Sequence, residues 1–125
     1  MAHLEHVNFT VRDADAFAAT LVDLFDWRIR WTGASLVTGY SVHVGDETGY
    51  IALYSPQETL IDGPTTYTTP GGLNHIGVVV DDLSATEARV KAAGFTPRSH
   101  QDYEPGHRFY FDGPDGVEIE VVSYD

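Results

Sequence analysis

Short runs in which apolar and polar residues alternate are spread along the chain, and two segments between them have helical spacing instead. The run near the start alternates strictly, which predicts a half-buried strand. In the segment after it, four residues recur at the spacing of one buried helix face, Phe17, Leu21, Leu24 and Phe25. Trp27 and Trp31, which follow this helix, are expected to cover the core.

The same succession of elements occurs twice. EHVNFTV at 5–11 is echoed by NHIGVVV at 74–80, which aligns His6 with His75. Three more strands are predicted after each helix. In the first copy they lie near 29–31, 40–44 and 50–54, and the piece at 36–38 is taken as part of a neighbouring strand. In the second copy they lie near 98–101, 108–112 and 117–124, with GPDG at 113–116 as the last turn. Each copy therefore has the order βαβββ, and the fold class is α+β.

One domain of two repeats accounts for the whole chain. Repeat 1 covers about 1–54 and repeat 2 about 73–125, and the segment between them, about 55–72, is a linker rich in Pro, Thr and Gly. A single curled sheet leaves open edges that invite pairing, so we expect a homodimer. The two repeats pair either within one chain or across that dimer.

The second helix carries its own start and stop signals. Ser84 and Glu87 have the spacing of a capping box, and Gly94 supplies the left-handed residue that ends the helix.

Composition and charge exclude several classes of partner. Of the 125 residues 42% are hydrophobic and 21% charged, which is typical of a globular protein. Seven basic residues against 19 acidic ones give a net charge of −12, so nucleic acid and anionic membrane surfaces are poor partners. The chain has no cysteine, and its start resembles no signal peptide, so we expect a cytoplasmic protein.

Strand alternation places three polar side chains on corresponding faces. His6, His75 and Glu120 all point away from the predicted helices, toward the concave side of a curled sheet. Two imidazoles and a carboxylate suit a divalent metal. A single strand histidine is more often a hydrogen-bonded structural residue, but the recurrence of histidine at the same place in both repeats favours the metal.

Three motifs give the chain a family resemblance. EHVNFTV at 5–11, NHIGVVVDD at 74–82 and FYFDGPDGVEIEVVSY at 109–124 resemble the vicinal oxygen chelate superfamily, which includes glyoxalase I, extradiol dioxygenases, fosfomycin-resistance thiol transferases and bleomycin-resistance proteins. The resemblance implies two βαβββ repeats forming paired, cupped sheets around a metal, with ligands at His6, His75 and Glu120.

One position departs from the glyoxalase I pattern. The fourth metal ligand of such enzymes corresponds to Ala52, and a methyl group binds no metal. The resemblance therefore implies three protein ligands with open positions, similar to the facial triad of non-haem Fe²⁺ oxygenases. Fe²⁺ or Mn²⁺ is expected, with Zn²⁺ and Ni²⁺ as alternatives.

Further residues are candidates for contact with a small-molecule substrate. Tyr110 and His43 are the candidate catalytic groups, since a phenol or an imidazole can move protons near the metal. The alternatives are ordinary aromatic packing for Tyr110 and a surface position for His43. The candidate substrate-binding residues are Asn8, Tyr50, Tyr54, Arg108 and Tyr110.

Two kinds of function fit this pattern. The first is a metal-dependent enzyme that binds a small oxygen-chelating substrate, extradiol-dioxygenase-like or lyase/isomerase-like. Thiol transfer to a phosphonate is less favoured, because one lysine and six arginines give little sign of a cationic pocket. The alternative is a non-catalytic, ligand-sequestering protein that resembles bleomycin-resistance proteins.

Overall fold

The computed structural model describes residues 1–35, 38–102 and 106–125, and only the backbone of residue 102. The chain divides into two compact units, Met1–Asp62 and Gly63–Asp125. Unit 1 contains β1 (His6–Thr10), α1 (Ala14–Phe25), β2 (Arg28–Ala34), β3 (Tyr40–Gly45) and β4 (Tyr50–Ser55). Unit 2 contains β5 (His75–Val79), α2 (Leu83–Ala92), β6 (Arg98–Asp102), β7 (His107–Asp112) and β8 (Glu118–Ser123). The predicted βαβββ order is confirmed in both units, while residues 36 and 37 of the piece predicted at 36–38 lie outside the described residues.

Both sheets have the same mixed topology. The strand order is β1-β4-β3-β2 in unit 1 and β5-β8-β7-β6 in unit 2. In each sheet the first strand pairs parallel to the last, and the other neighbours are antiparallel. The α+β class and the repeated four-stranded sheet are therefore confirmed.

Each helix packs on one face of its own sheet and leaves the other face to polar and aromatic side chains. Of the predicted face of α1, Phe17, Leu21 and Leu24 are buried and Phe25 is half-buried. The apolar side of the second sheet is equally buried, and its largest members are Phe109 and Phe111. Within the described part of the chain, neither helix is long and apolar enough to cross a membrane.

The acidic turns before the helices act as their N-caps. The carboxylate of Asp13 accepts a hydrogen bond from the Ala16 N–H at 3.0 Å, and that of Asp82 accepts one from Ala85 N–H at the same distance. The capping box predicted at Ser84 is wrong, because the helix has already begun at Leu83 and the extended backbone that a cap requires belongs to Asp82.

Glycine ends the second helix as predicted. Gly94 has φ = +94°, and its N–H donates to the Lys91 carbonyl at 3.0 Å. The Phe95 N–H donates to the Val90 carbonyl at 3.1 Å, which satisfies a further carbonyl of the last turn.

The segment predicted as a linker contributes structure to unit 2. It contains a 3₁₀ turn at Thr66–Thr68, and the Tyr67 hydroxyl donates to Glu118 of β8. The turn between β7 and β8 falls at GPDG as predicted, with a 3₁₀ turn at Pro114–Gly116.

Candidate functional site

In unit 2 the polar face of the sheet is built by strand register. β5 and β8 pair His75 with Glu118 and Gly77 with Glu120, while Tyr110 of β7 lies opposite Glu120. These side chains point away from α2, because the alternate residues Ile76 and Ile119 are buried on the helix side. The predicted orientation of His75 and Glu120 is therefore observed within this unit.

His75 lies between two carboxylates. Its Nε2 atom is 3.3 Å from Oε1 of Glu120, and its Nδ1 atom is 3.4 Å from Oε1 of Glu118. The second oxygen of Glu120 accepts a hydrogen bond from Nη1 of Arg108 at 2.8 Å. Arg108 and Glu120 are only 12% and 13% exposed, so this ion pair is sheltered from water.

Glu118 is held by two partners besides His75. Arg98 Nη2 donates to Oε2 at 2.7 Å, and the Tyr67 hydroxyl donates to Oε1 at 2.5 Å. The hydrogen bond from Tyr67, followed by that from Arg98, lowers the pKa of Glu118. Arg98 also donates to Asp112 at 2.8 Å, and its two carboxylate partners raise its pKa.

Two of the residues predicted to contact substrate have defined neighbours here. Tyr110 lies edge-on to His75, with ring centroids 5.9 Å apart and planes at 88°. Arg108 holds Glu120. Gly77, beside Glu120 in the register, leaves open space, because a Cβ built there meets no atom within 4 Å.

In unit 1 the corresponding sheet face carries a row of rings in contact. The His6 ring stacks on Tyr50 at 4.8 Å and Tyr50 on His43 at 4.6 Å, and the Trp31 ring lies 5.0 Å from His43, tilted by 47°. The guanidinium of Arg30 lies 4.6 Å from the Tyr50 centroid. His43 therefore belongs to this face. The prediction that Trp31 covers the core is wrong, because Trp31 is 48% exposed.

The groups at the two ends of this ring row have different electrostatic surroundings. Burial, and then the charges of His6 and Arg30, lower the pKa of His43. At its other end, Glu5 accepts from His6 Nδ1 at 2.9 Å and from the Tyr50 hydroxyl at 3.3 Å. The hydrogen bond from His6 is the main cause that lowers the pKa of Glu5.

Register relates the two faces residue by residue. Ala52 lies opposite Asn8 and His43, as Glu120 lies opposite Gly77 and Tyr110. Ala52 is 4% exposed and thus stands in unit 1 where Glu120 stands in unit 2. Tyr54, two residues further along β4, has its hydroxyl 3.4 Å from the Thr38 hydroxyl.

The residues of unit 2 fit part of a metal site. Within either unit, the described residues hold no group of three His, Asp or Glu side chains around one metal position. His75 Nε2 and Glu120 Oε1, however, are separated by 3.3 Å, which matches two neighbouring ligands each about 2.0–2.2 Å from one ion. His6 belongs to the other unit.

Sequence reasoning missed several residues that surround these groups. Glu118 shares the face of Glu120 by the same alternation that located Glu120, so the signal was present. Tyr67 and Arg98 gave no signal, because their role depends on tertiary contacts that no local pattern encodes. Glu5 directly precedes His6 and was readable only as a charged neighbour.

The fold and this pattern of side chains define a known class of protein. The chain belongs to the glyoxalase/bleomycin resistance protein/dioxygenase superfamily, whose family model matches residues 5–111. No curated protein matches the chain in sequence.

Solved structures similar to this chain have different described roles. A glyoxylase/bleomycin resistance protein/dioxygenase domain from Frankia sp. EAN1pec is 23% identical with a TM-score of 0.83, covering 100% of this chain and 99% of that one. A mutant of the fosfomycin resistance protein FosX from Listeria monocytogenes, complexed with Mn(II) and 1S,2S-dihydroxypropylphosphonic acid, is 17% identical with a TM-score of 0.73 over 98% and 92%. TnmS3, an antibiotic binding protein from Streptomyces sp. CB03234, is 18% identical with a TM-score of 0.73 over 100% and 98%.

Proposed function

We propose that the chain is a metal-dependent enzyme whose His6, His75 and Glu120 hold one divalent ion, Fe²⁺ or Mn²⁺, beside a small oxygen-chelating substrate. The reaction is of the extradiol-dioxygenase or lyase/isomerase kind. What carries the proposal is the pair His75 and Glu120, with Nε2 and Oε1 3.3 Å apart on one sheet face. The relative complexed with Mn(II) has the same fold and adds support.

Each protein group has a distinct task in this proposal. A divalent ion bound there supplies Lewis-acid activation of substrate oxygens. Arg108 donates to Oε2 of Glu120 and so leaves Oε1 directed toward His75. The lowered pKa of His43 keeps its imidazole neutral at pH 7, which suits a proton acceptor, and Tyr110 is the candidate proton donor.

Metal binding tests the proposal directly. Metal-free protein is titrated with Fe²⁺ under anaerobic conditions, and with Mn²⁺, Zn²⁺ and Ni²⁺, by calorimetry and elemental analysis. We expect about one ion per chain, and weaker binding by 10-fold or more in His75→Ala and Glu120→Ala. His100→Ala is the matched control, because His100 pairs with Glu87 at 2.9 Å outside this face. Wild-type protein that binds none of the four ions refutes the metal site.

The ring row of unit 1 supports a second candidate function, sequestration of a planar ligand without chemistry. Trp31, which is 48% exposed, offers aromatic surface on which such a ligand stacks, and the similar fold of an antibiotic binding protein favours this candidate. Binding of an aromatic antibiotic to metal-free protein, lost in Trp31→Ala and retained in Trp27→Ala, supports it. Binding that requires the metal contradicts it.

A further inference from the structure

Glu118 lies beside Nδ1 of His75, the ring nitrogen that does not bind the metal in the proposed site. Its Oε1 atom lies 3.4 Å from Nδ1, whereas Nε2 of the same ring faces Glu120. A neutral imidazole carries one proton, and each carboxylate favours that proton on the ring nitrogen that it faces. Glu120 alone favours Nε2–H, and Glu118 shifts the equilibrium toward Nδ1–H, which leaves the lone pair on Nε2.

A cation shared by Nε2 and Oε1 of Glu120 requires the lone pair of Nε2. Without a cation, either a proton on Nε2 bridges this 3.3 Å separation or two electron-rich atoms repel each other. Glu118 therefore stabilises the tautomer that metal binding needs, against the one that Glu120 alone favours.

Glu118 is itself fixed in place. Arg98 binds Oε2 and Tyr67 binds Oε1, so both oxygens have a partner other than His75. Tyr67 is 62% exposed and belongs to the 3₁₀ turn that precedes β5. Loss of the Tyr67 hydroxyl removes one restraint on Glu118 and little buried surface.

We propose that Glu118, held by Tyr67 and Arg98, is a positioning residue that shifts His75 toward the Nδ1-protonated tautomer, the form that presents Nε2 to the metal. The inference rests on the proposed metal site, and it deepens that proposal. Carboxylates behind metal-binding histidines typically contribute 10- to 100-fold in metal affinity.

The test reads the tautomer before any metal is added. Long-range ¹H–¹⁵N NMR of metal-free protein at pH 8 distinguishes the two ring nitrogens of His75, and Mn²⁺ titration follows on the same samples. We expect a detectable Nδ1–H fraction in wild type and a shift toward Nε2–H in Glu118→Ala, with metal affinity 10- to 100-fold weaker. Glu118→Gln should retain the tautomer, because its amide oxygen also accepts from Nδ1–H. Tyr67→Phe should loosen the preference and weaken affinity several-fold.

A second Glu–His pair provides the control. Glu87→Ala removes the partner of His100 and should alter the His100 signals while those of His75 and the metal affinity stay unchanged. Wild-type His75 that carries only Nε2–H or has both nitrogens protonated overturns the inference, as does an unchanged tautomer ratio in Glu118→Ala. If the tautomer behaves as expected and no metal binds, the positioning role stands and the metal-dependent function fails. If metal binds equally well to wild type and Glu118→Ala, the function stands and the positioning role fails.

Discussion

The two repeats differ in charge at corresponding positions of their sheets. Ala52 and Glu120 hold the same register position, yet one is a methyl group and the other a carboxylate paired with Arg108. The residue at the register of Arg108 in unit 1 is Ser41, whose hydroxyl pairs with that of Ser35. Unit 1 therefore lacks, at this position, the arginine that balances a carboxylate in unit 2.

Ala52→Glu tests whether this position faces a metal. Because Ala52 is buried and Ser41 offers no positive charge, we expect the metal-free variant to lose roughly 1–3 kcal/mol of unfolding free energy. If the position faces the ion, the new carboxylate gains a partner, and metal should restore thermal stability more than it stabilises wild type. Thermal unfolding with and without Mn²⁺ measures both effects.

Ala52→Gln is the control, because it adds similar volume without the charge. It should lose stability without a comparable recovery on addition of Mn²⁺. An equal metal response in wild type, Ala52→Glu and Ala52→Gln means that Ala52 does not face the ion, and the exclusion of a four-ligand site from the sequence is then wrong.

At the scale of elements, the turn between β3 and β4 depends on one carboxylate. Oδ1 of Asp46 accepts from the Thr48 N–H at 2.8 Å, the Thr48 hydroxyl at 2.7 Å and the Gly49 N–H at 3.3 Å. The bonds from Thr48 lower the pKa of Asp46 from its ordinary value of 3.8. Its stabilising contribution is therefore present above that value and is lost as the pH falls through the lowered pKa of the folded state.

Asp46→Ala should reveal this dependence. After allowance for solvent screening, we expect a loss of about 0.5–1 kcal/mol at pH 7 that shrinks in strongly acidic solution, where Asp46 of the wild type is protonated. Urea unfolding at pH 7 and pH 2.5 measures it, with Asp23→Ala, at an exposed site of α1, as the control. A difference between wild type and Asp46→Ala that does not change with pH contradicts the assignment.

The start of α2 gives a second prediction at this scale. Asp82→Ala removes the side chain that accepts from the Ala85 N–H and should cost about 1 kcal/mol. Ser84→Ala lies one residue inside the helix and should leave stability within about 0.5 kcal/mol of wild type. Urea unfolding compares the two variants. A larger loss of unfolding free energy in Ser84→Ala than in Asp82→Ala would mean that Ser84, and not Asp82, caps the helix.

These elements show how far the sequence predicts the fold. Alternation located the strands and the buried face of α1, because burial on one side imposes a period that a sequence displays directly. It did not choose between Asp82 and Ser84, since both residue types cap helices and only the backbone conformation decides. Trp31 was misplaced because its apolar character does not say which face of a strand it occupies, and the register of β2 also shifts between Ile29 and Trp31.

The site was predictable only where it follows strand alternation. His75 and Glu120 lie on one face because both belong to regular strands, and that much follows from the sequence. Tyr67 was unpredictable, because its contact with Glu118 joins residues 51 positions apart through an irregular segment. Side chains that act behind a site depend on such contacts, and a period along the chain does not encode them.

At the scale of the whole molecule, open sheet edges and charge act in opposite directions on self-association. Each four-stranded sheet ends in two edge strands, β1 and β2 in unit 1 and β5 and β6 in unit 2. Such edges favour pairing with another chain. The net charge of −12 on every chain opposes it, because association brings like charges together.

We therefore expect a homodimer whose stability increases with salt. At about 0.3 M NaCl the screening length falls below about 10 Å, so repulsion between two acidic chains weakens while apolar contacts persist. Sedimentation equilibrium should give twice the chain mass of 13.7 kDa at micromolar concentration, with a dissociation constant several-fold lower at 0.3 M than at 0.02 M NaCl. Monomer alone at both salt concentrations rejects the dimer and requires any pairing of the units to occur within one chain. A dimer that dissociates as salt rises would instead show that ion pairs, and not screened repulsion, govern its interface.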